Sequence, residues 1–317
     1  MKRWLFPGAI ALLVLVYPVL VDGLPVYQRL GALVLLAAIG ASAWNIVGGY
    51  AGQVSVGHAV FFGFGAYASV VVYTHLEWPP IAGAPLGMAL SVLLAAVIGV
   101  PTLRLSGHYF SMATIAVGEL VRVLSSTSEF LGGAQGLGGP AMPRTVFDLS
   151  FLSATPFYYI FLGVLAVLLG LTWWIENSRM GFYLRAIKDS ERAARSLGVS
   201  SGSYKLYAYM LSGAFTSLAG SLYLCMFGFV DPESGFGILI SVKMVVMAAL
   251  GGAGHLFGPL VGALILVPLE ELSNSLLGGQ GAGLTFVVYG AIIVIIARFL
   301  PSGLLSLLER RKVTRAD

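Results

Sequence analysis

Three ionisable side chains stand inside apolar runs: Glu119 and Arg122 in A-V-G-E-L-V-R, and Lys243 in I-S-V-K-M-V-V-M. A charge at membrane depth is costly and is kept for a function or a partner. Glu119 and Arg122 are three residues apart, so on a helix they share a face and can pair. Such a pair either holds neighbouring helices together or lines a polar pathway. Lys243 either snorkels toward an aqueous surface or joins that pathway. A second set is uncharged. Asn45, Gln53, Ser55 and His58 are spread among the glycines of N-I-V-G-G-Y-A-G-Q-V-S-V-G-H, with Gly52 and Gly57 in the middle. Irregular backbone at membrane depth survives only where its N–H and C=O groups find partners. Residues 48–57 therefore read as a break between two helices, with Asn45, Gln53 and Ser55 capping the broken ends. The break is either a tight turn or a part that moves.

Other chemistries find no residues to carry them. The string G-Q-V-S-V-G is not the G-x-S-x-G of a nucleophile elbow. No H-E-x-x-H and no G-x-x-x-x-G-K-[ST] occurs, so neither a zinc hydrolase nor a phosphate-cradling loop is encoded. His58, His75, His108 and His255 show no metal-ligand spacing; His58 and His255 follow glycine-rich bends and suit hydrogen-bonded helix ends. Neither an enzyme nor a resident metal is expected. The single cysteine, Cys225, lies in an apolar run and suits a buried packing position.

The elements that position these residues follow from composition. Of 317 residues, 58% are hydrophobic and 10% charged, with a mean hydropathy of +0.90. Soluble domains carry roughly 25% charged residues. The sequence reads as one all-α polytopic membrane domain over residues 1–317. Ten spans are expected, at 5–22, 29–48, 54–76, 86–104, 109–131, 155–176, 204–229, 236–252, 256–276 and 284–300; merging the two weakest, 54–76 and 236–252, into neighbours would give eight. The start M-K-R-W-L-F-P-G-A-I imitates a signal peptide but lacks a small-x-small cleavage site, so it is taken as an uncleaved first span. With the N-terminus inside, 14 of the 18 lysines and arginines fall on the cytoplasmic side, as the positive-inside rule requires. Acidic residues, including Asp231, Glu233, Glu270 and Glu271, collect on the other side. Both termini are then cytoplasmic. Two longer connections remain, an outer loop at 132–154 and an inner, basic one at 177–203.

Within the inner loop, A-I-K-D-S-E-R-A-A-R-S-L-G at 186–198 predicts a short helix stopped by Gly198. Ile187, Ser190, Ala194 and Leu197 make a weakly apolar stripe, with Lys188, Arg192 and Arg195 beside it. The helix either rests on anionic lipid or docks on a protein partner, which small residues allow to approach closely.

The string E-R-A-A-R-S-L-G at 191–198 resembles the cytoplasmic loop of ABC importer permeases, where a Glu and paired alanines precede a glycine. G-Y-A-G-Q-V-S-V-G-H-A-V-F-F-G-F-G-A-Y, G-H-Y-F-S-M-A-T-I-A-V-G-E-L at 107–120 and A-L-G-G-A-G-H-L-F-G-P-L-V-G-A at 249–263 stand in the same order as in the branched-chain amino acid permease family of the LivM type. The resemblance covers roughly residues 30–300. One departure is visible in F-L-G-G-A-Q-G-L at 130–137, where Leu131 replaces the family's threonine.

The resemblance implies a type II ABC importer-like permease in the bacterial inner membrane, carrying leucine, isoleucine or valine inward. Relatives with the same pattern carry urea, short amides, other amino acids or aromatic acids, and an ion-coupled secondary transporter is the alternative class, since broken glycine-rich helices and intramembrane charges suit it too. Implied partners are a homologous second permease subunit, two cytosolic ATPase subunits that bind ATP and Mg, and an extracytoplasmic binding protein; no nucleic acid is implied. Coupling to the ATPase falls on Ile187, Lys188, Asp189, Glu191, Arg192, Ala193, Ala194, Leu197 and Gly198. Deletion of 186–198 is expected to leave folding intact and to uncouple transport. Bulky residues at Gly52 and Gly57 separate a turn from a moving part. A near-repeat of G-G-Y-A-G in G-G-A-G at 251–254 is taken as coincidence.

Overall fold

The computed structural model describes residues 14–105, 107–140, 149, 151–276, 287, 290, 291, 298 and 303–305. Half of the expected span 5–22 and most of 284–300 lie outside the described residues, as do 141–148 and 150 of the outer loop.

Long apolar runs fold as helices because water is absent at membrane depth and each backbone group must be satisfied within its own segment. Helix α1 (Pro25–Asn45) continues into a π-helical turn (Ile46–Tyr50), and α2 (Ala59–Leu76) follows the irregular residues 51–58. Next come α3 (Gly83–Thr102), α4 (His108–Thr127) and α5 (Thr155–Glu176). Two short helices, α6 (Arg179–Asp189) and α7 (Glu191–Ser196), lead into α8 (Ser201–Phe227). A single turn, α9 (Pro232–Phe236), precedes α10 (Ile238–Gly251), and α11 (Gly258–Leu276) follows. Strands β1 (Leu137–Gly138) and β2 (Phe229–Val230) pair antiparallel and pin the loop after α4 to the end of α8. Among the described residues, six stretches are long and apolar enough to cross a membrane.

Span boundaries differ from expectation where polar residues intervene. The expected 54–76 begins at Ala59, because backbone groups of Val54, Ser55 and Val56 bond to side chains of other helices. The expected 236–252 is bent at Gly237. Its 14-residue α10 rises about 21 Å, short of the roughly 30 Å hydrocarbon core, and α9 supplies the rest.

Helices α1 and α8 are the two central elements. Helix α1 packs against α5, α8, α10 and α11, and α8 against α2 and α3. Close approach rests on glycine, as is usual between helices in lipid. A Cβ on Gly65 would lie 1.8 Å from Ser217 O, and one on Gly220 would lie 1.8 Å from Phe62 O, so α2 and α8 cross backbone to backbone. Gly262 does the same for α11 against Met247 O of α10.

The described chain has two chemically distinct ends. At one, residues 45–57, 103–111, 176–205 and 252–257 meet through Lys188–Gly49, Asn45–His255, Lys205–Leu103 and Ser111–Val54 hydrogen bonds. This end carries Arg104, Arg179, Arg185, Lys188, Arg192 and Arg195 and is called the basic end. At the other, Glu233 meets Arg122, β1 meets β2, and His75 stacks on Phe130. Asp231, Glu233, Glu270 and Glu271 make it the acidic end.

Candidate functional site

The basic-end junction is built around the break at residues 51–58. Side chains of four helices hold it. Trp44 Nε1 of α1 donates to Ser55 O at 2.7 Å. From α4, Ser111 Oγ donates to Val54 O at 2.6 Å, and Thr114 Oγ1 accepts from Val56 N at 3.1 Å. From α10, Ser241 Oγ accepts from Ala59 N at 2.7 Å. Through α8, Ser212 Oγ donates to Ala43 O at 2.6 Å and lies 2.8 Å from His58 Nε2.

These bonds fix the His58 tautomer. The Ser212 hydroxyl proton is committed to Ala43 O, so Ser212 Oγ can only accept from the ring, and Nε2 carries the proton. Nδ1 then accepts from Ser55 Oγ at 2.8 Å. His58 is fully buried and packs edge-on against Phe61 and Tyr209. It sits at a helix start, as its sequence position suggested, and does structural work there.

The capping expectation needs correction. Neither Asn45 nor Gln53 nor Ser55 caps a broken end of its own helix. The Asn45 amide reaches across to the other glycine-rich string: Oδ1 accepts from Gly254 N at 2.8 Å and Nδ2 donates to His255 O at 3.1 Å. Gln53 makes a long contact with Ala51 O, at 3.4 Å, and Ser55 serves His58. The strings at 48–52 and 251–254 thus touch, and their likeness has a spatial counterpart. Gly49 has no room for a side chain there, since a Cβ would lie 1.9 Å from Asn45 Oδ1 and 2.5 Å from Gly254 N.

The inner loop enters the same junction. Lys188 Nζ donates to Gly49 O at 2.7 Å. Gly52, with φ +68°, faces the Lys188 stem, and a Cβ there would lie 3.0 Å from Lys188 Cγ. Of the expected coupling residues, Ile187 and Ala194 are buried anchors. Asp189, Arg192, Ala193, Leu197 and Gly198 are exposed, Leu197 by 85%. The single helix expected at 186–198 is two helices, because the Ser190 side chain caps α7 by accepting from Ala193 N, a role serine favours over helix interiors. Gly198 stops α7 with φ +85°.

Glu191 is turned inward. Oε1 accepts from Arg195 Nη2 at 2.6 Å and Ser201 Oγ at 3.0 Å, and Oε2 accepts from Lys205 Nζ at 3.1 Å. Lys205 is buried and also donates to Leu103 O at 2.9 Å, so one ammonium ties α7 and α8 to the end of α3. Burial raises the Glu191 carboxyl, but Lys205, Ser201 and Arg195 together outweigh it and hold it below the usual carboxylate range.

The charged span residues lie elsewhere. Glu119 and Arg122 pair on α4 through two hydrogen bonds, and Arg122 reaches Glu233 of α9 at 3.4 Å. Lys243 of α10 pairs with Glu270 of α11. The candidates therefore divide, with Asn45, Gly52, Gln53, Ser55, Gly57 and His58 at the basic-end junction and Glu119, Arg122 and Lys243 toward the acidic end. Sequence reasoning did not single out Lys205, Ser212, Thr114 or Glu270. The available signal for Glu270 was an acid in the apolar helix after the one holding Lys243.

Helix α4 buries only a narrow stripe, Phe110, Thr114, Gly118 and Ser125. Tyr109, Met112, Leu120 and Leu124 are exposed on its other side, along with Glu119.

A family profile described as "Branched-chain amino acid transport system / permease component" matches residues 28–297. The high-affinity branched-chain amino acid transport system permease protein LivM of Salmonella typhimurium is 30% identical over 82% of this chain, which spans 65% of that relative's length. LivM of Escherichia coli is 28% identical over 96% of this chain and 75% of its own. BraD of Pseudomonas aeruginosa is 27% identical over 93% of this chain and 97% of its own. The chain belongs to this permease family and is a multi-pass helical membrane protein.

Proposed function

We propose that this member of the branched-chain amino acid permease family is a transmembrane subunit of an ATP-driven ABC importer. Its cargo is leucine, isoleucine or valine. The observation that carries the reading is the family match over residues 28–297, together with relatives named for that transport. The chain is a transport component, and ATP and Mg belong to two cytosolic ATPase subunits. A homologous second permease subunit packs on the wide exposed face of α4, and an extracytoplasmic binding protein delivers cargo to the acidic end. The basic end faces the cytoplasm of a bacterial inner membrane, as do both termini, and ten spans complete a type II importer fold.

The geometry supports a specific coupling route. The exposed face of α7, with Arg192, Ala193 and Leu197, docks on the ATPase. Ile187 and Ala194 root that face in the membrane domain. Lys188 carries its displacement to Gly49 O, and Asn45 passes it on to Gly254 and His255. Residues 45–52 are then the moving part, with Gly52 at its contact with Lys188, and Gly57 is the fixed turn against α4.

Uptake of labelled leucine and labelled urea by cells expressing the chain with its cognate subunits tests the reading. Leucine accumulation that needs both ATPase and binding protein is the expected result. Urea uptake without leucine uptake would replace the cargo. Leucine uptake independent of the ATPase would sink the importer itself.

A further inference from the structure

Toward the acidic end, α1, α2, α8, α9, α10 and α11 line an open cavity of about 560 Å³. Its upper wall carries Arg29, Lys243, Glu270 and Glu271, two charges of each sign. Its floor is Gly40, Phe62, Met244, Met247 and Val267, and those side chains are buried in the fold. Known small-molecule sites fall at about 300–1,000 Å³, mostly apolar with a few convergent polar groups.

An ion pair that only joined α10 to α11 would account for Lys243 and Glu270. It would not account for the void below them, nor for Arg29 and Glu271 on the same wall. Arg29 is itself held in place, with its guanidinium 5.5 Å from the Phe227 ring centre. We propose that this cavity is a binding site for a zwitterionic α-amino acid with a branched aliphatic side chain. The ligand carboxylate takes Lys243 and Arg29, its ammonium takes Glu270 and Glu271, and its side chain enters the floor.

Charge balance favours this ligand class. Inserted between the half-buried Lys243 and Glu270, a zwitterion keeps the order of signs alternating, so neither side chain loses its opposite charge. An anion or a cation would leave Lys243 or Glu270 without its opposite charge inside an apolar span, which is costly. The floor fits several aliphatic shapes because methionine is unbranched and adaptable. The site rests on the importer reading above and deepens it, since that reading places no ligand contact within this chain.

The test uses the assembled permease–ATPase complex in lipid nanodiscs, without the binding protein, and equilibrium binding of labelled leucine. Saturable binding displaced by isoleucine and valine is expected. 4-Methylpentanoate and 3-methylbutylamine, which lack one charge each, should compete at least tenfold more weakly. The double exchange K243E/E270K keeps an ion pair but reverses it against Arg29 and Glu271, and should weaken leucine at least tenfold. G40A adds a methyl 2.9 Å from Met244 Cε, the mobile tip of a side chain, and should favour valine over leucine about threefold. No saturable binding, binding unmoved by both variants, or equal displacement by the one-charge analogues would overturn the proposal. Parallel uptake by the complete transporter separates the two ideas. Normal leucine uptake with no such binding sinks the site alone, and variant-sensitive binding without uptake sinks the importer and leaves the site standing.

Discussion

The basic-end junction and the acidic-end cavity use opposite materials. At the junction, side chains reach backbone groups, glycines let chains touch, and residues 51–59 are bonded to four helices. At the cavity, Lys243 pairs directly with Glu270 beside an open volume. The first arrangement transmits displacement, because moving one backbone moves its partners. The second leaves space for a guest. A transporter needs both, and here they share helices α1 and α10, with Asn45 at one end of α1 and Arg29 near the other.

Perturbations of the two ends should therefore differ in kind. The largest effect is expected from Gly57→Val. A Cβ there would lie 2.1 Å from Thr114 O, backbone that cannot yield, so the protein should fail to accumulate in membranes on immunoblots. Accumulation at the native level would show that the junction is looser than drawn.

Next is Ala193→Trp on the exposed face of α7. It should abolish leucine uptake while the permease still accumulates and folds. It is a sharper variant than deletion of 186–198, which would also remove Glu191 from buried Lys205 and strand its ammonium. Uptake that survives A193W would move the docking face elsewhere. Lys188→Met removes only the bond to Gly49 O and should lower uptake about tenfold at unchanged ATPase activity, roughly the 1.4 kcal/mol of one charge-assisted hydrogen bond. Equal loss of both activities would make Lys188 a packing residue.

Asn45→Ala leaves Gly254 N and His255 O without their partners. It should cost about 1–3 kcal/mol, read as a lowered unfolding temperature in detergent. Gly40→Ala at the cavity should leave that temperature nearly unchanged, and a reversed ranking would break the contrast between the ends.

The smallest effect is a pH dependence. Glu191 has a lowered pKa when folded, so its contribution is complete above the ordinary carboxylate value of about 4.3. It is lost as pH falls through the folded value. A spin label on Leu197→Cys should keep its neutral-pH spectrum down to that ordinary value and gain mobility only in stronger acid. Glu191→Gln should loosen it at neutral pH.

Much of this architecture is legible in the sequence. Lysine and arginine positions separate the two ends, since each charge prefers water on one side of an apolar span. The string at 45–58 announces a helix break through its glycines, and Glu119 and Arg122 announce a pair through their spacing. What is not legible is partner choice over long separations. Asn45 bonds residues 209 and 210 positions away, and a lone amide has no periodicity to reveal that. Lys205 looks like one more cytoplasmic cation at the start of a span, and only packing against the end of α3 and Glu191 makes it buried. The Ser190 cap was readable from S-E, a favoured helix start, but the good helix formers on either side masked it.

The Asn45 contact also has a consequence in time. Translation runs at about 5–20 residues per second, so Asn45 is made roughly 10–40 s before Gly254. Throughout that interval its amide lacks the groups it will bond. The junction is thus closed by one of the later parts of the described chain, and a product truncated before residue 254 would carry an unanswered amide in the membrane. Completion of this one contact records that synthesis has reached the helix pair α10–α11.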